Sequence, residues 1–374
     1  MTGLLLVLQL VVLGTSVPGS VPAACKAINQ SGATGGAKIQ AAIDDPACGT
    51  VEIAATGPDA GGYWNLTTDL LLRSNLIIRG DDTGVKPTLK AVTPGPTAGM
   101  FRSRSGVSLS NVVIRGLAFD GNSALGSSEA PNALWIAGGC DHLTFVQNTT
   151  LDLRFHGVHL NTLPCSDVLI AESTFTNSTL IGVRVDTVAA ASYHARVIVR
   201  NNTFTGTQNY GVALDQCGTS TLTACEVRQN IVAGPTLSGV DFNRVHYGVI
   251  YGNTVTAAAK RGITIDDATH NTITYNSVTA AVSGTDYGMV FANGASPVSY
   301  QPWYVTFNTA SYNQITGFAT YGICNCNDAD SGSINDSNTF TFNVFASNGA
   351  ACHDSPTYAT NSTWTDNSGQ ACSP

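Results

Sequence analysis

The chain repeats a short motif: GVHLN (157–161), GVRVD (182–186), GVALD (211–215), GVDFN (239–243) and GITID (262–266), continuing as GMVFA (288–292) and GICNC (322–326). Successive glycines of the motif lie 25, 29, 28, 23, 26 and 34 residues apart. A recurring period of this size indicates a repeat architecture. Each unit alternates apolar and polar residues, which is the pattern of a strand and not of a helix. The sequence therefore predicts an all-β chain whose coils stack into a parallel β-solenoid.

A second short pattern accompanies the first one in each repeat. It has the forms NNTF (201–204), QNIV (229–232), GNTV (252–255) and YNSV (275–278). Its asparagines Asn202, Asn230, Asn253 and Asn276 hold matching places, so we expect them to occupy equivalent positions in successive coils.

The composition limits the classes of partner. Of 374 residues, 43% are hydrophobic, only 11% are charged, and the formal net charge is −8. Because no basic stretch exists, nucleic acid and membrane surfaces are not expected as partners. A surface of Thr, Ser, Asn and Gly suits hydroxyl-rich ligands such as polysaccharides, although the same residues also keep solenoid strands soluble. The protein is expected to be a monomer.

Targeting signals predict a secreted, extracellular protein. The apolar run from Leu4 to Leu13 precedes small residues and prolines up to Ala24, which is typical of a signal peptide over residues 1–24. The remaining residues, 25–374, are predicted to form a single domain. Seven Asn-x-Ser/Thr sequons suggest glycosylation: Asn29, Asn65, Asn148, Asn177, Asn201, Asn335 and Asn361.

Ten cysteines, an even number, fit an oxidising compartment and predict disulfides in preference to a metal or redox site. Cys25 and Cys48 can close the N-terminal cap. Cys140 and Cys165 lie 25 residues apart, about one coil, so they can bridge neighbouring coils. Several further cysteines are expected to staple one loop (Cys217, Cys225) or tie down the C-terminal end (Cys324, Cys326, Cys352, Cys372). Their connectivity does not follow from the sequence.

The two ends of the solenoid are expected to be capped, because an open end exposes an apolar cross-section and unpaired strands. Residues 25–50 form the predicted N-terminal cap, with an amphipathic helix over Gly35–Asp45. The period is lost after Cys352, which predicts a C-terminal cap over 352–374. Between the caps the sequence predicts early strands, a loop and two excursions: Thr50–Ile53, Leu70–Leu72, Leu76–Ile78, Gly80–Gly99, Gly121–Asn132 and Ser296–Tyr304.

The runs GATGGAKIQAAIDDPACGTVEI (32–53) and NLTTDLLLRSNLIIRG (65–80) resemble the opening of right-handed parallel β-helix proteins of the pectin-lyase-like superfamily. With the coils, the resemblance covers most of residues 25–350. It implies a single-stranded right-handed β-helix with a polysaccharide groove on an outer face. The superfamily includes polysaccharide lyases, polygalacturonase-like hydrolases, alginate C5-epimerases, phage tailspikes and non-catalytic surface proteins, so the resemblance leaves the activity open.

Side chains alternate along a strand, so the second and fourth residues after each glycine of the motif face outward. Stacking places equivalent positions ~4.8 Å apart. Two outward rows follow: His159, Arg184, Ala213, Asp241 and Thr264 in one, and Asn161, Asp186, Asp215, Asn243 and Asp266 in the other. Stacked carboxylates repel each other, which raises their pKa values. Folding alone does not require Asp at these positions, so the rows indicate a functional site. Capping of the strand ends by Asp and Asn is the alternative interpretation.

The acidic rows predict a glycosidase with Asp241, Asp215 and Asp266 as its catalytic carboxyls. Neighbouring strands with an offset of two residues separate such carboxyls by roughly 8 Å, within the about 6.5–9.5 Å of inverting enzymes and beyond the about 5–5.5 Å of retaining ones. Predicted substrate-binding residues are His159, Asn161, Arg184, Asp186, Asn243, Lys260, Arg261 and Asp267.

Two alternatives remain. A Ca²⁺-assisted lyase or uronan C5-epimerase would use a base, a proton donor and a cation, for which Arg184, Lys260, Arg261, His159 and Tyr210 or Tyr247 are candidates. A non-catalytic wall or adhesive protein would use the polar rows only to stabilise its coils. Without a lyase or epimerase reaction, no cofactor or metal is expected. GVDFN at 239–243 resembles the epimerase motif Tyr-Gly-Phe-Asp-Pro-His, with Ser238 in place of Tyr and Asn243 in place of His.

Overall fold

The computed structural model describes residues 24–122, 131–186, 192–206, 209–281, 286–292, 304–326, 335–354 and 361–371. It is an all-β, right-handed parallel β-helix, as the sequence predicts. Each coil contributes one strand to each of three parallel sheets, here sheets A, B and C, and the chain visits them in that order.

Sheet A has thirteen strands among the described residues: β1 (Ala24–Lys26), β2 (Thr50–Ile53), β5 (Leu76–Gly80), β8 (Leu109–Arg115), β11 (Cys140–Val146), β14 (Cys165–Ala171), β17 (Ala195–Arg200), β20 (Glu226–Arg228), β23 (Val249–Tyr251), β26 (Thr272–Thr274), β29 (Thr309–Ser311), β32 (Thr339–Thr341) and β35 (Thr363–Thr365).

Sheet B has twelve strands in the same part of the chain: β3 (Trp64–Leu66), β6 (Thr88–Ala91), β9 (Ala118–Asp120), β12 (Thr149–Leu151), β15 (Thr174–Thr176), β18 (Thr203–Thr205), β21 (Ile231–Ala233), β24 (Thr254–Ala258), β27 (Ser277–Ala280), β30 (Gln314–Thr316), β33 (Val344–Ala346) and β36 (Ser368–Gly369).

Sheet C has eleven described strands: β4 (Leu70–Leu71), β7 (Gly99–Arg102), β10 (Asn132–Ile136), β13 (His156–Leu160), β16 (Ile181–Val185), β19 (Tyr210–Cys217), β22 (Ser238–Val245), β25 (Arg261–Asp266), β28 (Tyr287–Ala292), β31 (Tyr321–Asn325) and β34 (Ala350–Asp354). The glycine motif of the sequence supplies the strands of this sheet from β13 to β31.

Helix α1 (Gly35–Asp44) covers the N-terminal end of the β-helix, at the place the sequence predicts. The Thr34 side chain caps it by accepting a hydrogen bond from the Ala37 N–H at 3.3 Å. Its apolar face, including Ile39 and Ile43, is fully buried in the core. Two short 3-10 helices, Ala27–Asn29 and Ala60–Gly62, also lie near this end.

The repeating asparagines form a buried ladder at the turn from sheet A to sheet B. Asn253 donates from Nδ2 to the Val227 carbonyl at 2.9 Å and to Asn276 Oδ1 at 3.0 Å. Its own Oδ1 accepts from the Asn230 backbone N–H at 3.0 Å. Each side chain therefore satisfies backbone groups in neighbouring coils, which would otherwise lie unpaired in the interior.

The ends of the repeat differ from the sequence prediction in two places. Strand β6 lies inside the segment Gly80–Gly99, which was predicted to be a loop. Strands β35 and β36 continue sheets A and B beyond Cys352, so the period is not lost there but persists as a partial coil in the described part of the predicted cap 352–374. It pairs because TWT at 363–365 keeps the alternation of the preceding strands. Most of the two predicted excursions lies outside the described residues.

Disulfides join Cys25 to Cys48, Cys140 to Cys165, Cys217 to Cys225 and Cys324 to Cys326, and Cys352 is also disulfide-bonded. The pair Cys140–Cys165 bridges neighbouring coils, since the two residues are cross-strand partners in sheet A. These bonds are compatible with an extracellular or periplasmic protein. Cys372 and the predicted signal peptide lie outside the described residues, except for Ala24.

Two of the predicted glycosylation acceptors are buried, so the prediction is wrong for them. Asn148 and Asn335 are fully buried, and Asn148 donates to the Ile114 carbonyl while accepting from the Leu117 N–H. Neither amide can accept a glycan in the folded chain. In the described part of the chain, no helix has both the length and the apolar character needed to cross a membrane.

Candidate active site on sheet C

The outer face of sheet C carries three rows of side chains that run along the axis of the β-helix. The second row is His159, Arg184, Ala213, Asp241 and Thr264, which are direct cross-strand partners in that order. The third row contains Asp215, Asn243 and Asp266, also direct partners, with Asn161 and Asp186 at the equivalent ends of β13 and β16. The two rows predicted from the motif are therefore brought together on one face.

The sequence did not predict the first row. It consists of the residue before each glycine of the motif: His156, Ile181, Tyr210, Ser238, Arg261, Tyr287 and Tyr321. Trp135, the partner of His159 on β10, was also missed. The signal for the first row was present, since each of its members directly precedes a repeat glycine.

Asp241 lies at the centre of the face, in the middle of β22. Its direct neighbours across the sheet are Ala213 and Thr264. Tyr210 and Arg261 lie diagonally towards the first row, since both pair with Ser238, three residues before Asp241. Asp215 and Asp266 hold the opposite diagonals, as partners of Asn243. Asp241 is thus surrounded by one tyrosine, one guanidinium and two carboxyls.

The Asp241 carboxyl holds its proton unusually well. The side chain is half-buried and accepts no hydrogen bond from any described residue. Burial, followed by the negative charge of Asp266, raises its pKa to about 7, against the opposing effect of Arg261. The pKa of Tyr210 is also raised, by burial and then by the charge of Asp241. Asp241 can therefore exchange a proton near neutral pH, which suits a general acid or base.

Asp215 is held by an ion pair that the sequence did not predict. Arg244 donates from Nε to Asp215 Oδ1 at 2.8 Å, and its Nη2 contacts Oδ2. Burial raises the pKa of Asp215, although the Arg244 hydrogen bond and charge lower it. Arg244 has a positive φ of 53°, so the strand alternation fails at this residue. The fixed pairing makes Asp215 a poor proton acceptor.

Asp186 is an ionised carboxyl on the N-terminal side of the face. It accepts from Arg184 Nε at 2.6 Å, and its Oδ1 lies 3.0 Å from His159 Nε2. Burial raises the pKa of Asp186, but the His159 hydrogen bond and the Arg184 and His159 charges together lower it to about 2. His156 is buried against the His159 ring, with centroids 4.6 Å apart, and burial lowers its pKa to about 3.

Two predicted substrate-binding residues lie away from the centre of the face. Asp267 has a positive φ of 49°, and its side chain is only 5% exposed, so it is not placed to contact a substrate directly. Burial and the charge of Asp266 raise the pKa of Asp267 to about 8. Lys260 is exposed at the turn before β25.

Residues 96–298 match the family model described as periplasmic copper-binding protein (NosD). The match spans 203 of the 374 residues and contains the three rows from β7 to β28. A comparison with curated proteins finds no significant match.

Solved structures share the fold at low sequence identity. The A-module of mannuronan C-5 epimerase AlgE6 from Azotobacter vinelandii has a TM-score of 0.65 at 19% identity, over 93% of this chain and 99% of that one. The tailspike protein of E. coli bacteriophage HK620, in complex with a pentasaccharide, has a TM-score of 0.64 at 16% identity, over 88% of this chain and 62% of that one. The catalytic domain of GH87 alpha-1,3-glucanase, in complex with tetrasaccharides, has a TM-score of 0.51 at 15% identity, over 94% and 70%.

Proposed function

The chain belongs to the NosD family of β-helix proteins, and from that fold we propose that it is a polysaccharide-processing enzyme whose active site is the outer face of sheet C. The preferred reaction is hydrolysis of a glycosidic bond with inversion. The observation that carries the proposal is the position of Asp241, a half-buried carboxyl with a pKa of about 7, between Asp215 and Asp266. The similar solved structures whose descriptions name saccharides or saccharide-modifying enzymes support a glycan as substrate.

In this mechanism Asp241 is the general acid. A carboxyl that keeps its proton near neutral pH can protonate the glycosidic oxygen as the C–O bond breaks. Asp266, on the next coil, is the general base that takes a proton from a water attacking the anomeric carbon from the other side. The offset of two residues between the neighbouring strands leaves room for that water. Asp215 stays bound to Arg244 and stabilises positive charge on the sugar ring.

The N-terminal side of the face is proposed to bind the glycan. Trp135, His159 and Arg184 follow one another on consecutive coils in the second row. Coils spaced at ~4.8 Å offer roughly one binding position per sugar along the axis. Asp186 fixes the direction of Arg184, whose side chain is 41% exposed and can donate to substrate oxygens.

A second candidate is a uronan lyase or C5-epimerase, and it is favoured by Tyr210 and Arg261. These residues flank Asp241 diagonally on the two neighbouring strands. Proton abstraction beside a uronate carboxylate needs a base, a proton donor and a cation. Asp241, Tyr210 and Arg261 can fill these roles, and Ca²⁺ can replace or assist Arg261.

One screen separates the proposals. Purified protein is incubated with pectin, alginate, chondroitin and neutral glucans, each with Ca²⁺ or with EDTA. New reducing ends without unsaturated-uronate absorbance support hydrolysis. Reducing ends together with that absorbance indicate a lyase, and a changed uronate ratio in the proton NMR spectrum without cleavage indicates an epimerase. Absence of all three signals on every glycan contradicts the enzymatic proposal and favours a wall or adhesive protein.

A further inference from the structure

The family description names copper, and the chain's own ligand-forming side chains can be tested against that ion. Copper in proteins is held by imidazole nitrogen, thiolate and thioether sulfur, usually in sets of three or four. The chain has seven histidines, ten cysteines and three methionines. Every one of these residues except Met1 and Cys372 lies within the described ranges.

The sulfur atoms of the described cysteines and methionines are not available to bind an ion. Each described cysteine is disulfide-bonded, so these residues offer no thiolate. Met100 and Met289 are fully buried in the hydrophobic core of the β-helix. A thioether in this position packs against apolar side chains and has no route to an ion.

Four of the histidines are fixed by hydrogen bonds. His194 is fully buried: its Nδ1 accepts from the Cys165 N–H at 2.9 Å, and its Nε2 lies 3.3 Å from the Asp186 carbonyl oxygen. Both ring nitrogens are therefore engaged by backbone groups. His159 binds Asp186 through Nε2, His246 binds Thr269 through Nδ1 at 2.9 Å, and His142 binds Asp141 through Nδ1 at 2.8 Å.

The other three histidines pack against neighbouring aromatic or imidazole rings. His270 is stacked between Tyr247 and Phe307, with centroid distances of 4.7 and 5.0 Å. His353 is stacked on Tyr321 at 4.7 Å. His156 meets His159 edge to face at an interplanar angle of 67°. Among the described residues, no three histidines bring their nitrogens together within ligand distance of a common ion.

Two sets of three side chains come close enough to be considered, and neither suits copper. Cys25, Asp45 and Cys48 include a disulfide in place of thiolates. The second set is Asp141, His142 and Asp167, which has one imidazole and lies at the surface of sheet A. Its Asp167 is occupied by a bidentate ion pair with Arg196, at 2.5 Å for each bond. Its Asp141 accepts from Ser166 Oγ at 2.6 Å.

We infer that this chain does not hold the copper ion named in its family description, and that its likeness to the family resides in the coil repeat. The matched residues, 96–298, comprise the strands from β7 to β28 and the asparagine ladder between sheets A and B. These features determine how coils stack and need no metal. The inference concerns metal binding alone and does not depend on the reaction proposed for sheet C.

The test uses the full secreted protein, stripped with EDTA. Separate samples are loaded with Cu²⁺ and, under reducing conditions mild enough to keep the disulfides, with Cu⁺. Both are desalted in the presence of a competing chelator, and copper per chain is measured by mass spectrometry. Melting temperature is recorded with and without copper, since an ion that binds the native state raises it.

We expect copper no higher than in a buffer blank, and an unchanged melting temperature. One copper retained per chain, or a melting temperature that rises with copper concentration, overturns the inference. The variant His142→Ala then locates the ion: loss of retained copper assigns it to the Asp141–His142–Asp167 surface, and unchanged retention assigns it elsewhere. Copper that the chelator removes completely from both proteins supports the inference.

Discussion

Asp241 and Asp266 lie on neighbouring strands of sheet C, two residues out of register, because Asp241 pairs with Thr264 and Asp266 pairs with Asn243. Strand spacing of ~4.8 Å and a two-residue advance of ~6.6 Å separate the two positions by roughly 8 Å. The charge of Asp266 contributes to the raised pKa of Asp241. One carboxyl can thus hold a proton while the other is ionised, as acid–base pairs require.

The separation of these carboxyls predicts the stereochemistry of the product. A distance of roughly 8 Å leaves space for a water between carboxyl and sugar, so hydrolysis should invert the anomeric configuration. Proton NMR of the first-formed reducing sugar, recorded before mutarotation, identifies the anomer. A product that keeps the configuration of the substrate contradicts the assignment of Asp241 and Asp266 as an acid–base pair.

The pKa of Asp241 predicts how activity and stability depend on pH. As a general acid it must be protonated, so kcat/KM should fall as the pH rises through about 7. The folded pKa is raised above the reference value of 3.8, so the native state binds more protons than the unfolded state between about pH 4 and 7. Stability should therefore fall as the pH rises through that window.

The variant Asp241→Asn removes this titration. Its melting temperature should exceed that of the wild type above pH 7, and the difference should shrink as the pH falls and vanish below about pH 3, where Asp241 is protonated in both states of the wild type. Thermal unfolding at several pH values measures the effect. Equal melting temperatures for both proteins at pH 8 would show that the Asp241 carboxyl is not desolvated.

The second and third rows on the outer face of sheet C could be predicted from the sequence. The deviation from the prediction has a physical cause. Alternation after each glycine sufficed to place Asp241, Asp266 and Arg184 on one face. It failed at Arg244, because its positive φ of 53° turns the side chain out of the alternating pattern. The ion pair of Arg244 with Asp215 was therefore not predicted.

Contacts between residues of different coils were the other feature that could not be predicted from the sequence. The repeat of Asn202, Asn230, Asn253 and Asn276 was visible, but a sequon such as that at Asn148 looks the same whether its amide is buried in a ladder or exposed. Only the stacking of coils decides this. The extra coil after Cys352 was missed for a similar reason, since its short strands pair through register with β32 and β33.

The asparagine ladder predicts a stability effect far from the active site. Asn253→Ala leaves the Asn230 N–H and the Val227 carbonyl without their partner in the interior. Each buried unsatisfied group costs about 1–3 kcal/mol, so the free energy of unfolding should fall by at least about 2 kcal/mol. Urea unfolding measures the change. Asn29→Ala, at an exposed position, is the matched control and should leave the midpoint unchanged.

Asp186 should act on binding and on acid stability more than on turnover. Its pKa of about 2 lies below the reference 3.8, so its contribution to stability is present above about pH 4 and lost as the pH falls towards 2. A shift of nearly two pKa units corresponds to roughly 2–3 kcal/mol. Asp186→Asn should remove that pH dependence and, by releasing Arg184, raise KM with little change in kcat. A fall in kcat alone, with KM unchanged, would instead place Asp186 in the chemical step.

The most direct measurement of the central claim is the initial rate of glycan cleavage by wild type, Asp241→Asn and Asp82→Asn, on the glycan that the screen identifies. The Asp82 side chain is 82% exposed and follows β5 of sheet A, so its substitution controls for the change of charge. Asp241→Asn should remain folded by circular dichroism and lose at least ~10²-fold in kcat, the low end for loss of general acid catalysis, while Asp82→Asn keeps the wild-type rate. A folded Asp241→Asn variant with wild-type turnover would contradict the assignment of Asp241 as the catalytic acid.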